Sequence, residues 1–153
     1  MREVVIAASY RSACGRAHKG TLALTRPDDL LAQVIAGVLE RVPQIKPEMI
    51  EDVVIGCAMP EAEQGMNVAR ITAFAAGMPA TVPAMTVNRW CSSGLESIAI
   101  VAAKIRAGLL DIAVAAGVES MSMLPMEPTH FRLPNPLPHA LRTEDDAPLP
   151  LLR

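Results

Sequence analysis

Several things are missing from this sequence, and each absence closes off a class of function. No apolar stretch approaches the length of a membrane span. The N-terminal apolar run, Val4 to Ala8, is too short for a signal segment and is preceded by Glu3. The chain therefore reads as soluble and unexported, with a cytoplasmic location expected and no membrane partner. There is no concentration of basic charge: 14 Lys and Arg are scattered against 16 Asp and Glu, for a formal net charge of -2 and a pI near 5.9. Nucleic acid is not expected as a partner. The three cysteines, Cys14, Cys57 and Cys91, are odd in number and lack CxxC spacing. That argues against a disulfide framework and a zinc site, favours a reducing compartment, and leads us to expect no metal. No internal repeat is evident. Glycine is absent after Gly117, and seven of the 13 prolines fall between Pro125 and Pro150, so no regular core element is expected in that tail.

What remains is a chain of 153 residues, 51% hydrophobic with positive mean hydropathy, which suits one globular domain or part of one. Short Val- and Ile-rich runs at 3–9, 52–58, 82–88 and 111–117 read as buried strands. Between them lie segments at helical spacing that begin at Pro27, Met66 and Ser92. Strand and helix alternate, so the expected fold class is α/β and layered. Pro27 suits a first helical turn, Asp28 and Asp29 complement the dipole, and Gly77 and Gly108 sit where helix C-caps belong. The third helix carries a stripe of Leu95, Ile98, Ala102, Ile105 and Leu109, with Ile100, Val101 and Ala103 on other faces. A helix apolar nearly all round is expected to be buried between layers.

Cys91 lies within "NRWCSSGL", where the third of these strands ends and the third helix begins. The unpaired amides and positive dipole end of that helix favour a thiolate there. Ser92 and Ser93 offer caps for orphan amides, Gly94 permits close approach of backbone or ligand, and the backbone N–H of Cys91 suits an oxyanion. The arrangement is that of a nucleophile elbow with sulfur for oxygen. The competing reading is a small residue packed under a helix, as cysteine often is. Cys57, in an apolar strand, and Cys14, in a polar loop, read as structural. His18, His130 and His139 read as surface residues in loops, Glu61 and Glu63 as solvated loop acids, and Met59, Met66 and Met78 as packing material rather than metal ligands.

Four separated stretches, "REVVIAASYRSACGR", "GCAMPEAEQGMNVAR", "VPAMTVNRWCSSGLESIA" and "AGVESMSMLPM", together resemble the N-terminal half of a thiolase, over roughly residues 2 to 126. The loop wording is more similar to degradative 3-ketoacyl-CoA thiolases (acetyl-CoA acyltransferases of fatty acid β-oxidation) than to acetoacetyl-CoA-forming ones. The resemblance implies a thiolase-like layered α/β fold, N-terminal half only, with a mixed sheet and a buried helix after the nucleophile. It further implies an α/β domain over 1–120 and a Pro-rich tail, 121–153, that starts a loop domain. Cys91 would attack the keto carbonyl of a 3-oxoacyl-CoA and hold the acyl group as a thioester, with its backbone N–H as oxyanion donor. Coenzyme A would be co-substrate, with no permanently bound cofactor. A homo-oligomer, dimer or tetramer, is implied for the complete enzyme, the strand before Cys91 pairing with its two-fold mate. The family's Gly-His-Pro histidine and late second cysteine do not occur in these 153 residues. The chain thus reads as a truncated thiolase, expected to be inactive alone. A catalytically dead remnant serving as an interaction module, an acetoacetyl-CoA-forming thiolase and a ketoacyl synthase stand as alternatives.

Overall fold

The computed structural model describes residues 2–124. Three helices and three strands alternate after a long N-terminal segment: α1 (Pro27–Glu40), β1 (Asp52–Gly56), α2 (Val68–Ala75), β2 (Ala84–Val87), α3 (Ser93–Arg106) and β3 (Ala113–Gly117). The expected α/β class is found. Both described pairings are parallel, in the order β2-β1-β3, so the expectation of a mixed sheet is corrected among the described residues.

The helix signals act where the sequence puts them. Pro27 opens α1, with Asp28 and Asp29 in its first turn. Asp28 is buried, and burial alone would raise its pKa. The bidentate pair with Arg26, at 3.1 and 2.9 Å, outweighs that and leaves the carboxyl below its ordinary value. Gly77 and Gly108 take left-handed φ of 80° and 74°. After each, the amides of Met78 and Leu109 reach back to Ala73 and Lys104 carbonyls, closing α2 and α3.

β1 is buried on both faces, as expected of a central parallel strand. Its side chains alternate: Val53 and Ile55 join Leu31 and Ile35 of α1 and Val68, Ala69 and Ala73 of α2 in the main core, while Gly56 meets the start of α3. Lys104 in the last turn of α3 pairs with Asp52 at the opposite end of β1. α2 and α3 therefore cover opposite faces of the sheet.

Two expectations are corrected. Residues 3–9 form no strand; the segment lies on the surface with Val5 and Ile6 more than 70% exposed, at 72% and 77%. Nor is α3 buried all round. Its small face, Ser93, Ser97 and Val101, packs on the sheet, whereas Leu95 (69% exposed), Ile98 and the following Leu109 face solvent. Apolar composition specified a helix fit for two layers, and the described residues supply one. Among the described residues no helix is long and apolar enough to cross a membrane.

Candidate active site

β1 is followed by a helix on one face of the sheet, and its neighbour β2 by a helix on the other. The carboxyl ends of these two strands thus form a topological switch point, the place where open α/β sheets leave a crevice for ligands. Cys91 lies there, four residues past the end of β2, and it is exposed.

Two glycines, Gly56 and Gly117, set how closely α3 approaches. A Cβ on Gly56 would stand 2.2 Å from the Ser93 carbonyl carbon and 2.5 Å from the Gly94 nitrogen. One on Gly117 would lie 3.2 Å from the Gly94 Cα. Only bare backbone allows the ends of β1 and β3 to touch the first turn of α3. Ser97, fully buried one turn later, lies with its hydroxyl 2.7 Å from the Gly94 carbonyl and 2.9 Å from that of Ala116, and so ties helix to strand.

The turn carrying Cys91 is held in an uncommon conformation. Trp90 has φ 49°, a left-handed value that costs a non-glycine residue on the order of 1–3 kcal/mol. It persists because side chains fix it. Asn88 Oδ1 accepts the Trp90 N–H at 2.9 Å, and Ser93 Oγ accepts the Arg89 N–H at 2.8 Å while donating to the Trp90 carbonyl at 2.6 Å. Ser92 Oγ donates to the Arg89 carbonyl at 2.8 Å. Here the expectation for the serines is corrected: neither caps α3, and both tie back to the preceding turn. A local carbonyl one turn away is a better partner for a hydroxyl in this geometry than the helix amides ahead of it.

Cys57 follows β1 and belongs to the core, 1% exposed. Burial, with the charge of Glu119 as a lesser cause, pushes its thiol up to about 11. Cys14 is exposed. His18 is exposed, and its backbone N–H donates to Ser122 Oγ at 2.9 Å; His130 and His139 lie outside the described residues. Glu61 is exposed beside a 3-10 turn over 62–64, with Glu63 within it. Met78 packs in the core, but Met66 is 93% exposed, against the expectation of packing. Among the described residues no group of three His, Cys, Asp or Glu side chains comes together to hold a metal.

Glu119 joins the loops at this carboxyl edge of the sheet. Its carboxylate accepts the Ala58 N–H at 2.7 Å and the amide of Gln64 at 2.5 Å. Gln64, fully buried, also donates to the Met59 carbonyl at 2.8 Å and accepts the Ser120 N–H. Asn88 Nδ2 closes the circuit on the Ala58 carbonyl at 2.8 Å. In the sequence both residues lie within stretches that resemble thiolases, Gln64 in "GCAMPEAEQGMNVAR" and Glu119 in "AGVESMSMLPM", but nothing local pairs them.

The family model for the thiolase N-terminal domain matches residues 4–146. The chain belongs to the thiolase family. Among thiolases it is 52% identical to a 3-ketoacyl-CoA thiolase of Bacillus subtilis over 135 residues, covering 88% of this chain and 34% of that protein. It is 48% identical to peroxisomal 3-ketoacyl-CoA thiolase 5 of Arabidopsis thaliana over 120 residues, 78% of this chain and 26% of that one. A β-ketoadipyl-CoA thiolase of Acinetobacter baylyi is 44% identical over 125 residues, 82% and 31% of the two chains. The chain spans about a third of the length of these thiolase relatives.

Proposed function

We propose that this chain supplies the nucleophile of a degradative 3-ketoacyl-CoA thiolase. The observation that carries the reading is an exposed Cys91 at the switch-point crevice, on a turn whose left-handed Trp90 is held by Asn88 and Ser93. The sulfur attacks the 3-keto carbonyl of a 3-oxoacyl-CoA. The Cys91 backbone N–H donates to the oxyanion that forms. The bond between C2 and C3 then breaks, leaving a shortened acyl thioester on Cys91 and the enolate of acetyl-CoA, which takes up a proton. The thiol of free CoA attacks the thioester, releases the shortened acyl-CoA and restores Cys91.

Two proton-handling groups complete this cycle, one to activate the sulfur and one to protonate the enolate. These 153 residues contain neither a Gly-His-Pro stretch nor a cysteine after Cys91, so the chain alone contributes the nucleophile and its oxyanion donor. General acid–base groups are each worth on the order of 10²–10⁴ in rate, and without them turnover falls below ordinary detection. On this reading residues 1–120 are the α/β domain, the tail proposed over 121–153 lies, beyond residue 124, outside the described residues, and the working enzyme is a cytoplasmic homo-oligomer formed along β2, an edge strand of the described sheet.

The experiment is to assay thiolysis of a 3-oxoacyl-CoA by the purified chain, and then with a separately expressed C-terminal half of a thiolase. The expected result is no turnover alone and turnover on mixing, lost in Cys91→Ser. Robust turnover by the chain alone contradicts the division of labour. A fold that pairs with the other half yet never restores activity favours the interaction module instead.

A further inference from the structure

We infer that Gln64 and Glu119 are a positioning pair for the Cys91 turn, acting through the Ala58 backbone and Asn88; this rests on Cys91 being the nucleophile. The observations form one chain of contacts. Gln64 is fully buried in the loop between β1 and α2, and this loop holds two left-handed non-glycine residues close to it, Ala62 at φ 43° and Met66 at φ 56°. Such backbone keeps its shape only where side chains over-determine it. Gln64 does so with both amide protons and its oxygen, on the Met59 carbonyl, the Glu119 carboxylate and the Ser120 N–H.

Glu119 extends that hold to Ala58 by accepting its N–H, and the Ala58 carbonyl in turn accepts from Asn88 Nδ2. The other end of the same Asn88 amide receives the Trp90 N–H, one residue from Cys91. The two sides of Asn88 are therefore not independent. If Ala58 shifts, the Asn88 side chain rotates and Trp90 loses the acceptor that holds its left-handed conformation. Neither Gln64 nor Glu119 touches the sulfur; both act through the turn.

The donor and acceptor pattern makes a specific test available. In Glu119→Gln an amide nitrogen faces the Gln64 amide nitrogen, donor against donor. In Gln64→Glu two carboxylates face each other. The double exchange restores complementarity between the pair: the residue 119 amide donates to the residue 64 carboxylate, whose second oxygen still accepts the Ser120 N–H, while the oxygen in place of the Gln64 nitrogen now meets the Met59 carbonyl acceptor to acceptor, so the rescue is partial. Trp90, the single tryptophan, reports on the turn by its fluorescence anisotropy, and iodoacetamide labelling of Cys91 reports on the sulfur.

Each single variant is expected to lower Trp90 anisotropy and to slow Cys91 labelling about tenfold toward the rate of exposed Cys14, with Cys57 still protected; the exchange is expected to restore both in part. Singles that stay folded and leave Trp90 and Cys91 unchanged overturn the inference, as does an exchange that restores neither. A Trp90 response in a protein whose unmutated Cys91 labels no faster than Cys14 supports the positioning but refutes the nucleophile. Should the buried variants unfold, exposing Cys57, Asn88→Asp tests the same link from the surface. It keeps the acceptor for Trp90 and loses the donor to Ala58, so an unaltered Trp90 and Cys91 there also overturn the inference.

Discussion

Cys57 and Cys91 follow neighbouring strands of one sheet, at the same carboxyl edge, and the molecule treats them in opposite ways. Cys57 comes directly after the central strand β1, where α1 and α2 cover it and burial pushes its thiol up to about 11. Cys91 follows the edge strand β2 at the end of a four-residue turn that lifts it clear of the core, and it is open to solvent. Residue type decides nothing here. What separates a packing cysteine from a candidate nucleophile is whether the backbone carries the residue past the layer of side chains, and in this chain Gly56, Gly117 and a left-handed tryptophan do so.

The comparison breaks most completely if the approach of α3 is blocked. Gly56→Ala places a methyl group 2.2 Å from the Ser93 carbonyl carbon, backbone that cannot swing aside. We expect a loss of about 3 kcal/mol or more, read by urea denaturation. Gly94→Ala is the control: its Cβ has nothing closer than the Gly117 Cα at 4.0 Å, and alanine is the better helix former. It should be neutral or slightly stabilising. Equal behaviour of the two variants would dissolve the claim that β1 and α3 meet backbone to backbone.

Labelling sharpens the contrast next. A thiol raised from 9.0 to about 11 holds roughly a hundredfold less thiolate near neutral pH, before any shielding by the core is counted. Native chain treated with iodoacetamide and mapped by mass spectrometry should therefore modify Cys91 at least a hundredfold faster than Cys57. Comparable rates would mean that the core around β1 opens as readily as the crevice.

The smallest expected effect is a pH dependence that belongs to Cys57 alone. Its folded pKa lies above the unfolded value, so the neutral thiol favours the folded state. That contribution is fully present below the unfolded pKa of 9.0 and is lost as the pH rises through about 11. Stability should fall by up to roughly 3 kcal/mol across that window, and Cys57→Ala should flatten this component of the profile. An unchanged alkaline profile in the variant would place Cys57 in a wetter environment than its burial implies.

Much of this arrangement was legible in the sequence, and the reasons differ by element. Strands at 52–58, 82–88 and 111–117 were readable because a central parallel sheet demands continuous Val and Ile runs, and the helices because Pro27, Gly77 and Gly108 mark their ends. The 3–9 run carried the same composition and forms no strand, since apolar content specifies burial only where a pairing edge is at hand. The richness of α3 in apolar residues points to burial all round, yet what selects its packed face is small size at Ser93 and Ser97, which hydrophobic patterning does not register. Hydroxyls before a helix usually cap it, but the Trp90 turn offers Ser92 and Ser93 nearer carbonyls. The pairing of Gln64 with Glu119 joins residues far apart in sequence and has no period, so no local pattern announced it.

The central claim is that Cys91, and neither of the other thiols, accepts an acyl group. On the proposed reading, slow acylation by an activated thioester draws mainly on the sulfur and the backbone N–H that would face the oxyanion, so it is measurable on these 153 residues without a group to activate the sulfur. Incubation with an activated acyl thioester, followed by digestion and peptide mass spectrometry, should find one slowly formed, hydroxylamine-labile acyl group on Cys91, and none in Cys91→Ser. Acyl groups spread equally over Cys91 and Cys14, or absent from Cys91 in folded protein, would contradict the account.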